Sequence, residues 1–276
     1  MVIRRTPKTS QGPEQYLVGP ESRFHDTVGA LRIFGEYLYG SQSLHDLWPC
    51  VTVFGSARLG EGHSSYALGR EVGAGLARAG YTVMTGGGPG LMEAANRGAR
   101  EAGGRTAGAN IRLATQPYPN PYVDDVITFR HFFVRKVMLV KHSVGFVALP
   151  GGIGTFDEIF EAANLMQTGT IVRFPIVLLG TEFWQPVLDV LRDRLLGAHT
   201  VDPLDLDDLL VTDSAEECVH HILRVSAEHL GGGDGGASPA RGVRELAQDF
   251  ARLTKSRPRG GGLNRARGGG RRRTSG

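Results

Sequence analysis

Three glycines, a threonine and a glutamate lie close together after one short apolar run of the chain. Residues 144–149 are nearly all apolar, as expected of a strand that is covered on both faces in a parallel sheet. The residues that follow include Pro150, Gly151, Gly152, Gly154 and Thr155. Glycines let the backbone approach a ligand closely, and the free N–H groups at the start of a helix bind phosphate. The spacing therefore predicts a phosphate-binding turn, with Thr155 as the cap of the next helix.

Glu158 lies one helical turn beyond that predicted cap, so its carboxylate should face the same ligand. Its distance from the phosphate suits the middle of a nucleotide rather than its end. Asn164, farther along the same predicted helix, is also assigned to substrate binding. An ordinary strand-to-helix turn with an acidic first turn is the simpler explanation. We favour the phosphate site because a second glycine cluster upstream repeats the pattern.

The second cluster, residues 86–90, separates a predicted strand at 81–85 from a predicted helix that runs to about residue 101. The residues assigned to substrate binding here are Gly86, Gly87, Gly88, Gly90, Leu91 and Met92. A dinucleotide fingerprint would follow the first strand and need an acidic residue after the next one, but the third predicted strand leads into Arg112. The sequence also has no Walker Gly-Lys-Ser/Thr segment. A mononucleotide is therefore favoured over NAD or a nucleoside triphosphate.

Further polar and basic residues lie near the predicted strand ends. Ser56 and Arg58 follow the first predicted strand, 51–54, and ligands of open α/β sheets bind at the carboxyl ends of strands. Arg135 and Lys136 precede the strand at 144–149 and could converge on its turn. A guanidinium can hold a base or a phosphate by paired hydrogen bonds and stays charged when partly buried. Without the glycine turns, a basic pair on a solvated helix face would be the preferred explanation.

Strands and helices alternate along the chain, which predicts an α/β fold with a doubly wound, Rossmann-like parallel sheet and helices on both faces. We expect a single domain at 23–230 with a flanking N-terminal helix, a disordered leader at 1–22, and a disordered Gly/Arg-rich basic tail at 231–276. The other predicted strands are 106–111, 126–129, 174–179 and 209–211. The other predicted helices are 26–39, 63–79, 131–142, 186–196 and 214–226.

Composition narrows the protein class. The 276 residues, 41% of them hydrophobic, suffice for one α/β domain with a full core. No run is apolar enough to span a membrane and the N-terminal sequence lacks the apolar core of a signal peptide, so we expect a soluble, cytoplasmic protein. Cys50 and Cys218 are too few for a disulfide scaffold and are expected to be buried or half-buried. His131 and His142 lack partners at metal-ligand spacing and are expected to be ordinary surface or capping residues, so neither a metal nor a cofactor is expected.

Charge is unevenly distributed along the chain. Beyond Leu230 there are 11 of the 31 Lys and Arg residues and 3 of the 28 Asp and Glu residues, a net charge of +8. The preceding part carries 20 basic and 25 acidic residues, a net charge of −5. Such a tail could bind nucleic acid or another polyanion weakly. A solvated appendage without a specific partner is favoured, because charge runs alone are weak evidence.

Residues 150–158, Pro-Gly-Gly-Ile-Gly-Thr-Phe-Asp-Glu, resemble the Pro-Gly-Gly-x-Gly-Thr-x-x-Glu signature of the LOG (Lonely Guy) family. Arg135 and Lys136 stand where that family has an Arg-Lys pair. Residues 86–92 resemble its Gly-Gly-Gly-x-x-Gly-Leu-Met segment, here shortened to Gly-Gly-Gly-Pro-Gly with Glu93 after Leu-Met. The family was long labelled lysine decarboxylases and is now associated with cytokinin riboside 5′-monophosphate phosphoribohydrolase activity.

The resemblance covers roughly residues 51–223, and the shortened segment, the N-terminal helix and the tail suggest similarity to the longer bacterial branch. It implies hydrolysis of the N-glycosidic bond of a nucleoside 5′-monophosphate, either AMP or a cytokinin riboside 5′-monophosphate, to free base and ribose 5-phosphate. Positive charge develops at the sugar in such a reaction, so a carboxylate beside C1′ stabilises the transition state. We assign this role to Glu158, and contact with the base or ribose to Arg135. The resemblance also implies a site shared between subunits, hence a homodimer or larger assembly.

Two other classes remain open at this point. A carrier that binds a nucleotide or molybdenum cofactor without cleaving it would need the same glycine turns, and only Glu158 together with Arg135 separates the two classes. The second class is a nucleic-acid-associated protein, and the basic tail is the only feature that supports it. Lysine decarboxylation would need a pyridoxal phosphate site with a Schiff-base lysine and an acidic partner, and no such constellation is evident.

Overall fold

A computed structural model describes residues 23–112, 119–172, 174–202 and 209–231 of the chain. The predicted leader, most of the predicted tail and the middle of the loop before residue 119 lie outside these ranges. The helices are α1 Arg23–His45, α2 Ser64–Arg78, α3 Leu91–Glu101, α4 Phe132–His142, α5 Ile153–Gln167, α6 Thr181–Leu191 and α7 Ala215–Gly231. The strands are β1 Cys50–Phe54, β2 Thr82–Thr85, β3 Thr106–Ile111, β4 Asp125–Phe129, β5 Ser143–Ala148, β6 Ile176–Leu179 and β7 Leu209–Thr212.

The seven strands form one parallel sheet in the order β4-β3-β2-β1-β5-β6-β7. This confirms the doubly wound sheet predicted from the sequence. The chain builds outward from β1 through β4, then returns to the other side of β1 with β5. The direction of winding therefore reverses between β1 and β5, and ligands of such sheets bind at the carboxyl ends of the strands on either side of that point.

Alternating side chains of the strands fill two hydrophobic cores, one on each face of the sheet. In β1, Cys50 and Phe54 contribute to the core beneath α1, α4, α5 and α6, whereas Val51 and Val53 contribute to the core beneath α2, α3 and α7. Both faces are covered, which explains why the central strands read as continuous apolar runs in the sequence. The buried cysteine Cys218 belongs to the second core, so the expectation that both cysteines are buried is confirmed.

Helix α1 extends beyond the predicted range at both ends and packs on α4 and β4. A Cβ atom at Gly40 would lie 2.6 Å from the Phe129 ring and 3.1 Å from Cγ of Met138, so glycine permits the close approach of α1 to α4. Leu44, in the last turn of α1, is fully buried. The C-terminal part of α1 is thus anchored in the folded domain, while apolar side chains such as Phe24, Leu31 and Phe34 remain exposed.

The predicted helix at 186–196 differs from the structure in its start. Helix α6 begins at Thr181, after Gly180 in a left-handed conformation, and continues into a π-helical turn, Arg192–Leu196. Pro186 lies inside α6 rather than at its first turn. Across the described ranges, no helix combines the length and the apolar character needed to cross a membrane.

Candidate active site

The loop after β1 joins the two glycine turns to each other. The backbone N–H of Ser56 donates a hydrogen bond to the carbonyl oxygen of Pro150, at 3.0 Å, and the Ser56 carbonyl accepts one from the N–H of Leu91, also at 3.0 Å. Gly90 has φ +72°, and a Cβ atom there would collide with the Ser56 carbonyl oxygen. The side-chain oxygen of Ser56 accepts from the N–H of Arg58, whose own side chain is exposed. Three loops are therefore held together at the carboxyl ends of β1, β2 and β5.

Buried side-chain amides and a hydroxyl brace the turn at residues 86–90. The Thr85 hydroxyl accepts from the N–H of Gly87 at 2.9 Å and donates to Oδ1 of Asn96 at 2.7 Å. Asn120 donates from its backbone to the Gly87 carbonyl at 2.8 Å, and from its side-chain amide to the Gly88 carbonyl and to Oδ1 of Asn96, both at 3.0 Å. This turn is shaped by the protein before any ligand binds, which lowers the entropic cost of binding.

The turn after β5 is built differently. Helix α5 begins at Ile153 with Gly152 as its N-cap residue, so the prediction that Thr155 caps the helix is wrong. Thr155 lies within the first turn and is buried, with its side chain packed against Gly151. A Cβ atom added at Gly152 or Gly154 would meet no described heavy atom within 4 Å. The start of α5 therefore presents its first N–H groups on an open surface, as a phosphate site requires.

Glu158 and Arg135 approach the same place from α5 and α4. Glu158 is 5% exposed, and burial raises the pKa of its carboxyl group from 4.5 to about 7, although the positive charges of Arg135 and Lys136 act in the opposite direction. Burial lowers the pKa of Arg135, against the effect of the Glu158 charge. The Nε atom of Arg135 is buried and has no hydrogen-bond partner among the described residues.

The Arg135 guanidinium also lies over the glycine turn at residues 86–90. A Cβ atom at Gly86 would be 3.1 Å from Nη2 of Arg135 and 2.9 Å from Sδ of Met92. The absence of a side chain at Gly86 therefore makes room for both neighbours. Arg135 thus lies against the turn at Gly86 and acts on Glu158, whereas the sequence placed it at the turn after residue 149.

Lys136 and Asn164 occupy a different surface. The Lys136 ammonium is 3.0 Å from Oδ1 of Asp157 and 2.6 Å from Oε2 of Glu161. Asn164, one turn beyond Glu161, is exposed. Both lie beside a surface recess of about 530 Å³ that Phe160 also lines. The structure thus pairs Lys136 with carboxylates of α5 rather than with a glycine turn.

The expectation that the two histidines are surface residues is wrong, whereas the alternative that they cap a helix holds for His131, the N-cap residue of α4. His131 is 2% exposed and its Nδ1 lies 2.7 Å from Oε2 of Glu36, while His142 is 5% exposed. Burial lowers the pKa of His142, with further contributions from the charges of Lys141 and His45. The reason is α1, which covers α4 in a way that the local sequence around α4 does not reveal.

The sequence of the chain is similar to those of known proteins. A family model described as "Possible lysine decarboxylase" matches residues 92–222. The cytokinin riboside 5′-monophosphate phosphoribohydrolase of Mycobacterium tuberculosis is 32% identical over 154 residues, which are 55% of this chain and 82% of that protein. The cytokinin riboside 5′-monophosphate phosphoribohydrolase LOG5 of Arabidopsis thaliana is 29% identical over 141 residues, 51% of this chain and 61% of that protein.

Among solved structures, the molybdenum cofactor carrier protein MCP from Chlamydomonas reinhardtii superimposes with a TM-score of 0.51. The superposition covers 65% of this chain and 98% of the carrier protein, at 24% sequence identity. At that level of identity the similarity establishes a shared fold and nothing about a shared ligand.

Proposed function

The chain belongs to the LOG family of phosphoribohydrolases, and from this premise we propose that it hydrolyses the N-glycosidic bond of a nucleoside 5′-monophosphate. The products are the free base and ribose 5-phosphate. The observation that carries this proposal is the Glu158 carboxyl group, which is buried on the helix that follows one glycine turn, is acted on by the charge of Arg135, and has a pKa raised to about 7. A carboxylate in that position suits the stabilisation of positive charge that develops at C1′ of the ribose.

The phosphate is assigned to the start of α5 and to the turn at residues 86–90. Gly151, Gly152, Gly154 and the N–H groups of the first helical turn supply donors and the positive end of the helix dipole. The braced turn at residues 86–90 lies on the other side of the Ser56 loop. Binding energy from the phosphate, remote from the reacting bond, fixes the ribose in place.

Glu158 and Arg135 have separate roles at the glycosidic bond. As the bond breaks, positive charge develops on the ribose, and the ionised Glu158 stabilises it and orients the attacking water. Arg135 contacts the base and donates hydrogen bonds to the negative charge that develops on it; its buried Nε has no partner within the described residues. Being a guanidinium, Arg135 acts through its charge and its donors rather than by giving up a proton.

Base release from nucleoside monophosphates tests this function. Purified protein incubated with AMP should release adenine and ribose 5-phosphate, detected by chromatography, and a panel that includes isopentenyladenosine monophosphate ranks the bases. The Glu158→Gln protein is the control for contaminating activity. Binding of the nucleotides without release of base from any of them would contradict the hydrolase and favour a non-hydrolytic carrier of a nucleotide or of molybdenum cofactor.

We further propose that the protein acts as a homodimer or larger assembly, with α4 and α5 at the subunit contact. Large apolar side chains on these helices are exposed in the single chain: Phe132, Phe133, Val137, Ile153 and Phe160. They flank the Arg135–Glu158 pair on the same two helices, so a second copy bound there would also exclude water from the site. Sedimentation of the wild type and of Phe160→Asp tests this. A wild type that sediments as a monomer at micromolar concentration contradicts it.

A further inference from the structure

Helix α1 supplies a carboxylate to the start of α4, the helix that carries Arg135. Oε1 of Glu36 accepts hydrogen bonds from the backbone N–H groups of Arg130 and His131, at 2.9 and 3.0 Å. Oε2 of Glu36 lies 2.7 Å from Nδ1 of His131. Both oxygens of one side chain are thus used at the N-terminus of α4, about 95 residues away in the sequence.

This contact holds the N-cap residue of α4 and the residue before it. His131 is the N-cap residue of α4, and its own side chain makes no capping hydrogen bond. The first N–H groups of a helix have no partner within the helix, and a negative charge there is favoured by the helix dipole. The side chains of Glu36 and His131 are only 11% and 3% exposed, so solvent screens their contact weakly.

The contact lies one helical turn from Arg135. The N–H of Arg135 donates to the carbonyl oxygen of His131 at 3.2 Å, which is the hydrogen bond that joins the cap to the turn carrying Arg135. Because Nε of Arg135 has no partner within the described ranges, the place of its guanidinium over Gly86 depends on where α4 lies. Glu36 therefore acts on the site through the backbone of α4 and touches no reacting group.

The two helices are also joined at the far end of α4, which provides a comparison within the same interface. There the Lys141 ammonium donates to the Ser41 hydroxyl at 3.0 Å. This second contact is exposed, and it lies at the end of α4 remote from Arg135. Loss of it should loosen the helix pair without moving the first turn.

We propose that Glu36 is a positioning residue: it fixes the first turn of α4 and thereby holds the Arg135 guanidinium against Gly86 and beside Glu158. The consequence for turnover rests on the proposed function, whereas the placement of Arg135 does not. Glu36 would be the contribution of the N-terminal helix to the site.

Three variants separate positioning from general stability. Glu36→Ala removes both accepting oxygens. Glu36→Gln keeps one carbonyl oxygen for the two N–H groups and places its amide group opposite Nδ1 of His131. Ser41→Ala breaks the contact at the far end of α4 and serves as the matched control. The charged groups that act on Glu158 are Arg135 and Lys136 from α4 and Asp157 and Glu161 from α5, and all three variants leave them in place.

The pKa of Glu158 is measured in each ligand-free protein by a pH titration followed by NMR of carbon-13-labelled glutamate. The resonance of Glu158 is identified as the one that is missing in Glu158→Gln. Withdrawal of the Arg135 charge in Glu36→Ala should raise the pKa of Glu158 by about 1, and base release near pH 7 should fall about fivefold as the ionised fraction of Glu158 drops. Glu36→Gln and Ser41→Ala should match the wild type in both measurements. A merely structural role would lower the melting temperature of Glu36→Ala without changing the titration of Glu158.

The inference is overturned if Glu36→Ala titrates as Ser41→Ala does, or if Glu36→Gln fails to restore the wild-type titration. Should Glu36→Ala not fold, Glu36→Asp replaces it, because the carboxylate is withdrawn by one methylene and cannot reach both N–H groups. An unchanged pKa of Glu158 in Glu36→Asp then overturns the inference. A wild type that releases no base refutes the proposed function, and the titration in the same samples still decides the role of Glu36.

Discussion

Arg135 and Lys136 are neighbours in the sequence, as are Asp157 and Glu158, yet the structure sorts the four residues into two unlike pairs. Arg135 and Glu158 are turned inward, where burial raises the pKa of the carboxyl group and lowers that of the guanidinium. Lys136 is paired with Asp157, which is 57% exposed, while the Lys136 side chain itself is 15% exposed. Burial acts to lower the pKa of Lys136, but hydrogen bonds to Glu161 and Asp157 outweigh it and raise that pKa.

The difference shows what each pair is suited to do. Exposed ion pairs contribute little to stability, typically about 0–1 kcal/mol, and hold both groups in their ordinary charge states. A buried pair that lacks mutual hydrogen bonds is costly to the fold, and such groups are found where chemistry needs a perturbed charge. The inward pair is therefore the candidate for catalysis, and the outward pair is a contact between α4 and α5.

Replacement of the inward cation should have the largest effect on activity. Arg135→Ala should lower kcat/KM by a factor of about 10² to 10³, since one charge contact to the developing transition state is lost. Lys136→Ala is the matched control on the adjacent residue. Steady-state rates of base release compare the two, and equal losses in both variants would erase the distinction between the pairs.

The inward carboxylate should also make stability depend on pH. The pKa of Glu158 is raised from 4.5 to about 7 on folding, so the native state binds the proton more tightly than the unfolded chain. The protonated Glu158 side chain therefore stabilises the folded protein fully below about pH 4.5. This contribution to the free energy of unfolding, up to about 3 kcal/mol, is lost as the pH rises through about 7.

Urea unfolding of the wild type and of Glu158→Gln at about pH 4.5 and about pH 8 measures that change. Relative to the variant, the wild type should lose stability as the pH rises. A difference between the two proteins that stays constant with pH would mean that Glu158 titrates alike in the folded and unfolded chains.

Activity should depend on the same ionisation with the opposite sign. Because the charged form of Glu158 stabilises the ribosyl cation, kcat/KM should fall about tenfold for each pH unit below about 7. In Lys136→Met this fall in kcat/KM should begin at a slightly higher pH, since Lys136 lowers the pKa of Glu158. A rate that is flat from about pH 5 to about pH 8 is inconsistent with the assignment.

Replacement of the outward cation should have the smallest effect. Lys136→Met removes the ion pairs with Asp157 and Glu161, whose side chains are 57% and 35% exposed, and should change the free energy of unfolding by about 1 kcal/mol. The affinity for AMP should stay close to that of the wild type. A large loss of AMP affinity, measured by calorimetric titration, would restore Lys136 as a substrate-binding residue.

The parallel sheet was predictable because its strands are short apolar runs that end at Gly, Pro or a charged residue. The candidate pair and both glycine turns could also be found from residue type and spacing. Helix starts were less predictable. Gly152 rather than Thr155 caps α5, and Pro186 lies inside α6, because both starts are decided by how the preceding strand enters the helix.

Residues that act across long separations in the sequence were missed. Asn96 and Asn120 brace the turn at 86–90 from two different segments, and Glu36 reaches His131 from α1. Each is a polar residue without a local motif. Only the packing of α1 on α4 and of α3 beside the loop at residue 120 brings these groups together. Polar positions on the otherwise apolar face of α3 would have been the one available signal for Asn96.

Glu158→Gln tests the central claim, that the carboxylate drives bond cleavage while the start of α5 binds the phosphate. The amide keeps the shape of the side chain, so the affinity for AMP measured by calorimetric titration should remain close to that of the wild type. Turnover should fall by a factor of about 10² to 10³, and Glu161→Gln on the outward face should retain it. Full turnover in Glu158→Gln, or a loss of binding in step with the loss of rate, would contradict the account.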